Sequence, residues 1–267
     1  MKSISSLQNP LIKKVLLLQE KSRERKEANL FVIDGCKETK LAIENGFEVD
    51  TILCLRSIVH SVQSADIINT IDHQPSAISF IEVSDEVFDK ISYRGNTSKV
   101  VALAKPKSNA LSDLKLSKNP LVIVLDGIEK PGNVGAILRT ADATGVDAVI
   151  CCDTHSDIYN PNTIRSSVGC VFTKQIAVSS KEECLAFLKE NNIAVYTTSL
   201  KAAKNYLEED YQQPSAFVFG TEAEGVNAFW EEHSSANIII PMRGQNDSLN
   251  VSNAVAIILF EALRQRS

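Results

Sequence analysis

The stretch "LVIVLDGIEKPGNVGAILRTADATG" (residues 121–145) carries the pattern on which the fold prediction rests. Its opening apolar run is typical of a strand that is buried on both faces of a sheet. Pro131 and Gly132 turn the chain, and apolar residues then recur at helical spacing as far as Gly145. A buried strand followed by such a helix is the unit from which parallel α/β sheets are built.

The same alternation continues towards the end of the chain. The predicted strands are "DAVICC" (147–152), "FTKQIAV" (172–178), "IAVYTT" (193–198), "AFVFG" (216–220) and "ANIIIPM" (236–242). The predicted helices lie near 163–168, at 181–192, just after Gly225 and from about 251 almost to the terminus. We therefore expect a mainly parallel sheet covered on both faces, with ligands bound at the carboxyl ends of its strands.

The N-terminal part has an α/β pattern of its own. We predict a helix near 7–20, a strand at "LFVIDG" (30–35), a helix at "KETKLAIENG" (37–46) and a strand at "VDTILCL" (49–55). Residues 105–119 are polar and punctuated by proline and serine, which is typical of a linker. The sequence thus predicts two domains, at residues 1–104 and 120–267.

Composition and charge restrict the possible functions. The net charge of −5 argues against a generally basic nucleic-acid binder, yet residues 1–30 hold seven Lys/Arg against three acids. A solvated helix face and an RNA-contacting surface explain this basic run equally well. No apolar run is long enough to span a membrane and the N-terminus lacks a signal-peptide core, so we expect a cytoplasmic protein without membrane contact. The six cysteines and four histidines lack metal-ligand or disulfide spacing, so no metal is expected and most thiols should be buried.

Polar residues that are unusual for simple packing follow three of the predicted strands. Asn133 could cap a helix, whereas Arg139 lies on an otherwise apolar helix and, if buried, would need an anionic partner or a ligand. Gly220 directly follows a buried strand and precedes Glu222, although an ordinary turn would have the same composition. A third loop, at 243–250, is rich in small polar side chains. Because these loops follow strands of one parallel sheet, we expect a ligand site among them.

Common nucleotide and hydrolase motifs are missing from the sequence. The loop after the strand that begins at residue 121 is not Gly-x-Gly-x-x-Gly. The sequence also contains neither a phosphate-binding Gly-x-x-x-x-Gly-Lys-Ser/Thr loop nor a Gly-x-Ser-x-Gly elbow. A dehydrogenase, a P-loop enzyme and a serine hydrolase of the elbow type are therefore not expected.

Three segments together resemble a known family. In order and spacing, "NVGAILRTADATG", "FVFGTEAEGV" and "IPMRGQNDSLNVSNAVAIILFEALRQ" are similar to the signature motifs of the SpoU (TrmH-like) RNA ribose methyltransferases of the SPOUT superfamily. The segment "YNPNTIRSSVGCVF" resembles the middle part of that family, so the likeness covers residues 120–267. Residues 1–104 resemble the small ribosomal-protein-like RNA-binding domain that many members carry.

The resemblance implies an activity and an architecture. It implies S-adenosylmethionine-dependent methylation of a ribose 2′-hydroxyl in structured RNA, either ribosomal or transfer RNA. It also implies a deep trefoil knot that binds the cofactor, and a homodimer through the terminal helix, whose second apolar face (Ile257, Phe260) needs a cover. Ala223 replaces a glycine of the family motif, and "YRGNTSKVVALA" departs from the expected N-terminal pattern, which leaves the RNA target open.

The resemblance also assigns roles to residues. Gly220, Ile240 and Leu249 should hold the cofactor through their backbone. The catalytic and RNA-contacting residues should be Asn133, Arg139, Glu222, Ser248 and Asn250. A guanidinium with a pKa above about 12 is a poor base, so we expect Arg139 to bind phosphate and offset charge on the 2′-oxygen. The alternative from another class is a catalytically silent RNA-binding or ribosome-associated protein on the same scaffold.

Overall fold

The structure is a computed structural model that describes residues 2–55, 78–93, 99–154, 157–202, 204–221 and 223–267. The strands are β1 (Lys2–Ile4), β2 (Phe31–Asp34), β3 (Val49–Leu55), β4 (Ser79–Val83), β5 (Val100–Ala104), β6 (Leu121–Asp126), β7 (Ala148–Cys152), β8 (Gln175–Ser179), β9 (Ala194–Thr198), β10 (Lys204–Asn205), β11 (Ser215–Phe219) and β12 (Ala236–Ile239). The helices are α1 (Pro10–Glu20), α2 (Ser22–Ala28), α3 (Cys36–Glu44), α4 (Asp85–Ile91), α5 (Pro131–Ala143), α6 (Pro161–Ser166), α7 (Cys170–Thr173), α8 (Lys181–Glu190), α9 (Ala228–His233) and α10 (Val251–Arg266).

Contacts divide the chain into two units. The first unit comprises Met1–Lys107 together with Asp157–Thr173, and the second comprises Ser108–Ser156 together with Lys174–Ser267. The chain therefore passes between the units three times. A segment that lies between β7 and β8 in sequence belongs by its contacts to the N-terminal unit.

The first unit contains a mixed sheet in the order β1-β4-β3-β5-β2. Strand β4 is parallel to both of its neighbours, whereas β5 is antiparallel to both β3 and β2. The predicted strands near 30–35 and 49–55 and the predicted helices near 7–20 and 37–46 are present as β2, β3, α1 and α3. Strands β1, β4 and β5 and helices α2 and α4 are not among the predicted elements.

Residues 157–173 join the core of the first unit through aromatic rings and a buried ion pair. The Phe31 ring stacks on Tyr159 with centroids 4.5 Å apart, and Phe47 meets Phe172 edge to face at 5.1 Å. The Arg25 guanidinium is only 4% exposed and pairs with the Asp157 carboxylate. The strand predicted from residue 172 is wrong at its start, because Cys170–Thr173 is a short helix and β8 begins at Gln175.

The second unit contains a sheet in the order β10-β12-β9-β11-β6-β7-β8, in which every pairing is parallel. This confirms the predicted parallel α/β sheet. All six residues of β6 are buried, as expected of a central strand covered on both faces.

The strand order explains where a ligand can bind. From β6 the chain builds β7 and β8 on one side, and β11, β9 and β12 lie on the other side. The order therefore reverses between β6 and β11, and the crevice at the carboxyl ends of the strands beside such a switch point is the usual binding place. The loops after β6, β9, β11 and β12 all meet at this edge.

Helix α10 closes the second unit. Asn250 caps the helix, since its side chain accepts a hydrogen bond from the Ser252 N–H at 2.9 Å. The buried face of α10 comprises Val251, Val255, Ile258, Leu259 and Ala262. As predicted, a second apolar face remains, with Ile257 half-buried and Phe260 51% exposed.

Arg266 joins the last turn of α10 to other segments of the second unit. Its guanidinium donates hydrogen bonds to four backbone carbonyls, those of Asn119, Pro120, Tyr211 and Gln213. Burial lowers the pKa of this guanidinium from its ordinary value, although the group remains charged at neutral pH.

Residues 109–115, within the stretch from 105 to 119 that the sequence predicts as a linker, pack along the edge strand β8. The Asn109 side chain donates to the Ile176 carbonyl at 2.8 Å, and the Lys115 N–H donates to the Gln175 side chain at 2.8 Å. Three leucines spaced among the polar residues pack against the core of the second unit: Leu111, Leu114 and Leu116.

Candidate functional site

A cavity of about 610 Å³ lies at the carboxyl ends of β9, β11 and β12. The residues lining it belong to 198–201, 219–221, 223–226, 238–240 and 246–251, together with Glu231, Met242 and Ala254. Its volume is within the range of sites that hold small molecules and cofactors. All of these residues belong to the second unit.

Five of the predicted site residues line this one cavity. Gly220 follows β11, and Ile240 follows β12. Ser248, Leu249 and Asn250 lie in the loop that leads into α10. Residues from two loops that are widely separated in sequence are thus brought together. Glu222, also a predicted site residue, lies outside the described residues.

The loop after β11 is a tight turn that requires glycine at Gly220. The N–H groups of Thr221 and Gly225 each donate to the other residue's carbonyl at 3.0 Å. A Cβ on Gly220 would lie 2.0 Å from the Gly225 carbonyl oxygen, well inside van der Waals contact. The backbone on both sides of this turn is therefore held close, with its polar groups beside the cavity.

The first and third loops meet through a pair of amide side chains. The Asn250 Nδ2 atom donates to Asn133 Oδ1 at 3.3 Å. Asn133 is the third residue of α5 and is half-buried. The sequence permits Asn133 as the cap of this helix, but Lys130 occupies the cap position. Since Asn250 lines the cavity, the pair places the Asn133 amide next to the cavity lining.

Arg139 is exposed, so the burial that would require an anionic partner or a ligand does not apply to it. It lies six residues beyond Asn133 on α5, a rise of about 9 Å along the helix. No hydrogen bond or ion pair joins its guanidinium to another described residue. Ser248 Oγ donates to the Asp247 carboxylate at 3.1 Å, and both side chains are exposed at the cavity.

Acidic side chains outnumber basic ones around the cavity. Among the described lining residues the acids are Glu224, Glu231 and Asp247, and Lys201 is the one cation. One Glu231 oxygen accepts from Ser199 Oγ at 2.6 Å. A site with this balance favours a ligand that carries positive charge.

Buried thiols near the sheet are not candidate nucleophiles. Burial raises the pKa of Cys151 to about 12, and a hydrogen bond that the Cys184 thiol donates to Cys152, together with burial, raises the pKa of Cys184. Both remain protonated at neutral pH, and a protonated thiol is a poor nucleophile.

Over the described ranges, no cluster of His, Cys, Asp and Glu is arranged to hold a metal ion. In the same ranges, no helix has the length and apolarity needed to cross a membrane.

Sequence reasoning missed several residues of the site. Ser199, Lys201 and Glu231 line the cavity beside the end of β9. Asp126, the last residue of β6, is 7% exposed and accepts a hydrogen bond from the Asn227 N–H at 2.9 Å. Position at the carboxyl end of a buried parallel strand is the signal that could have identified Asp126 and Ser199.

Fold and cavity together define an α/β protein with a cofactor-sized cavity at the carboxyl ends of three strands of a parallel sheet. The chain belongs to the SpoU rRNA Methylase family, whose family model matches residues 120–260. A second model, that of the MRM3-like substrate binding domain, matches residues 9–102.

Relatives of known name are similar over nearly the whole chain. The 23S rRNA (guanosine(2553)-2′-O)-methyltransferase RlmP of Bacillus subtilis is 28% identical over 97% of this chain and 98% of its own. A crystal structure of an RNA 2′-O ribose methyltransferase is 35% identical, with a TM-score of 0.84 and 99% of both chains covered. The AdoMet-bound rRNA methyltransferase of Sinorhizobium meliloti is 28% identical, with a TM-score of 0.88 over 98% of this chain and 97% of that one.

Proposed function

We propose that this chain methylates a ribose 2′-hydroxyl of ribosomal RNA, with S-adenosylmethionine as the methyl donor. The observation that carries the proposal is the meeting of the loops after β11 and β12 at one cavity of about 610 Å³, within a chain of the SpoU rRNA Methylase family. Relatives named as 23S rRNA 2′-O-methyltransferases support ribosomal RNA over transfer RNA as the target.

The volume of the cavity and the charge of its lining suit S-adenosylmethionine. Apolar side chains of Ile238, Ile240 and Leu249 offer a surface for an adenine ring, while the backbone of Gly220 and Gly225 offers polar groups. The excess of acidic side chains favours a ligand with a sulfonium and an ammonium group. We assign Gly220, Ile240 and Leu249 to cofactor binding. When bound, S-adenosylmethionine supplies an activated methyl group.

The side chains at the cavity border position the acceptor ribose. Asn133, Ser248 and Asn250 carry uncharged donors that suit a phosphate or a hydroxyl of RNA. The exposed Arg139 guanidinium suits a phosphate and would offset negative charge that grows on the 2′-oxygen. We also assign a catalytic role to Glu222, which the family resemblance implies. The reaction as proposed needs no metal.

The N-terminal part of the chain supplies affinity for RNA. We assign this role to residues 1–104 and the chemistry to residues 120–267, with 105–119 between them. Exposed Lys13, Lys14 and Lys21 support the assignment, because phosphate contacts need accessible cations. Arg25 is excluded from this role, since it is buried against Asp157.

Three finer features complete the proposal. The enzyme acts in the cytoplasm as a homodimer, with the exposed Phe260 of α10 covered by a second copy. The segment leading into α10 forms a trefoil knot, a proposal that the common cavity lined by residues 220–221, 223–226 and 246–251 supports. An experimentally determined structure that traces the chain crossings tests the knot, and a crossing-free trace would refute it.

The experiment that tests the function combines binding and transfer. Calorimetry with S-adenosylmethionine should give one site per chain. Incubation with labelled cofactor and bulk RNA from cells that lack the gene should label ribosomal RNA at a ribose, while RNA from cells that carry the gene should accept little. RNA binding without cofactor binding or methyl transfer would favour the catalytically silent alternative.

A further inference from the structure

The carboxylate of Asp126 lies behind the cavity and not in its wall. Asp126 is the last residue of β6 and is 7% exposed. Its carboxylate accepts a hydrogen bond from the Asn227 N–H at 2.9 Å. A buried carboxylate is costly unless it is hydrogen-bonded, and a bond to a charged acceptor is stronger than one between neutral groups. The contact joins positions 101 residues apart, so it ties the end of β6 to the loop after β11.

Asn227 is the point at which that loop ends. Its side chain accepts from the Phe229 N–H at 2.9 Å and thereby caps α9. One residue therefore receives the Asp126 bond on its backbone and begins the next helix with its side chain. Gly127, the residue that follows β6, also approaches the loop, because an added Cβ would lie 3.4 Å from the Thr221 methyl group.

We infer that Asp126 is a positioning residue that holds the loop 220–227 in the shape needed to bind the cofactor. The Thr221–Gly225 bridge closes the turn on itself, but it does not fix the turn relative to the sheet. The bond from Asn227 to Asp126 does so at the carboxyl side of the turn. Since Gly220, Gly225 and Val226 line the cavity, movement of this loop changes the cavity wall.

The inference rests on the proposed function only in the identity of the ligand. Its test therefore has one readout that needs no ligand, hydrogen exchange of the backbone amides, and one that does, the affinity for S-adenosylmethionine. Asp147 offers a matched control, because it too accepts backbone N–H groups, from Ser117 at 2.8 Å and from Leu121 at 2.9 Å. It lies at the amino end of β6, the opposite end from the cavity.

In Asp126→Ala, amides of residues 220–227 should exchange at least about tenfold faster, and the dissociation constant for S-adenosylmethionine should rise roughly tenfold to a hundredfold. The affinity for RNA should not change. Asp126→Asn, which keeps an acceptor oxygen, should recover affinity to within about threefold. Asp147→Ala should lower thermal stability without either effect.

Normal exchange and normal cofactor affinity in folded Asp126→Ala would overturn the inference, and so would equal effects in Asp147→Ala. If Asp126→Ala does not fold, Asp126→Ser serves the same comparison, because its shorter side chain cannot span to Asn227. If the wild-type chain binds no S-adenosylmethionine, the proposed function fails, while the exchange comparison still decides whether Asp126 holds the loop.

Discussion

Asn250 caps helix α10 and donates its Nδ2 hydrogen to Asn133 Oδ1 at 3.3 Å, so one side chain starts the last helix and joins it to the first helix after β6. The two residues lie 117 positions apart, in the first and third of the segments that resemble the family motifs. The amide oxygen of Asn250 caps the helix, and its amide nitrogen donates to Asn133. These two roles can be separated by substitution.

Asn250→Ser should keep the cap and lose the amide pair. Serine caps a helix about as well as asparagine, so we expect Asn250→Ser to change the free energy of unfolding by less than about 0.5 kcal/mol and Asn250→Ala to cost about 1 kcal/mol. Both variants should lower the single-turnover methylation rate about tenfold or more if the amide positions the ribose. Ser180→Ala removes the cap of α8 at a residue that does not line the cavity, so it should affect stability alone. Normal rates in Asn250→Ser would leave the pair without a role in the reaction.

Gly220→Ala should strongly weaken cofactor binding under conditions in which the protein remains folded. The new Cβ would lie 2.0 Å from the Gly225 carbonyl oxygen, so the turn that borders the cavity must open. We expect the dissociation constant for S-adenosylmethionine to rise at least about a hundredfold, measured by calorimetry at a temperature at which circular dichroism shows a folded chain. Gly244→Ala is the matched control, since an added Cβ there meets nothing within 4 Å. Unchanged affinity in folded Gly220→Ala would move the cofactor site elsewhere.

Local patterns predict the parallel sheet because its central strands are buried on both faces and form unbroken apolar runs, as β6 does. The same logic fails for residues 157–173. The apolar side chains of Tyr159 and Phe172 require burial, but nothing local says that the core that buries them is that of the N-terminal unit, beside Phe31. Long-range packing decides that question.

Some residues of the candidate site can also be predicted from local sequence, and others cannot. Glycines and amides that follow strands are visible in a sequence, and Gly220 and Asn250 are identified from them. The position of Asp126 at the end of a buried strand is visible in the sequence, but its contact is not, because its partner is the backbone N–H of Asn227, a group that every residue except proline possesses. Exposure of Arg139 is likewise set by which face of α5 packs against the sheet and α10, and a short apolar helix with few polar positions does not specify this.

Replacing Lys13, Lys14 and Lys21 with glutamine should weaken RNA binding and its salt dependence. If all three contact phosphates, the slope of log affinity against log salt should fall by about 2 to 3. Three exposed lysines of the second unit provide the control: Lys115, Lys118 and Lys189. Equal slopes for the wild type and the N-terminal variant, measured on one ribosomal RNA fragment, would remove these lysines from the RNA interface.

Deletion of residues 1–104 is a poorer test of the same division of roles. It would strip the cover from Tyr159 and Phe172 and leave the Asp157 carboxylate without Arg25. Loss of activity in that truncated chain would therefore report unfolding of 157–173 as well as loss of RNA contacts. The charge variants keep this core intact, so cofactor binding should remain normal in them.

Phe260→Asp should dissociate the proposed homodimer. A charge at the centre of an apolar contact is costly, so sedimentation at micromolar concentration should show a dimer for the wild type and a monomer for the variant. Leu207→Asp is the control, because Leu207 is 55% exposed, comparable with 51% for Phe260, but lies outside α10. A monomeric wild type, or a dimer that tolerates Phe260→Asp, would contradict an interface through this face of α10.

The last prediction concerns Arg139, whose guanidinium is exposed and available to RNA. If it binds phosphate and offsets charge growing on the 2′-oxygen, Arg139→Ala should lower the single-turnover methylation rate far more than it lowers RNA affinity, because the interaction strengthens in the transition state. Cofactor affinity should not change, since Arg139 is not among the residues that line the cavity.

Arg139→Lys separates charge from geometry at the same position. Lysine keeps the charge but loses the planar fork, so it should restore only about a tenth of the wild-type rate or less if two-point contact with phosphate matters. Rates are to be measured at saturating RNA and cofactor, with each affinity determined separately. Full activity in Arg139→Ala would exclude this residue from the reaction, and a loss that saturating RNA removes would make it a binding residue only.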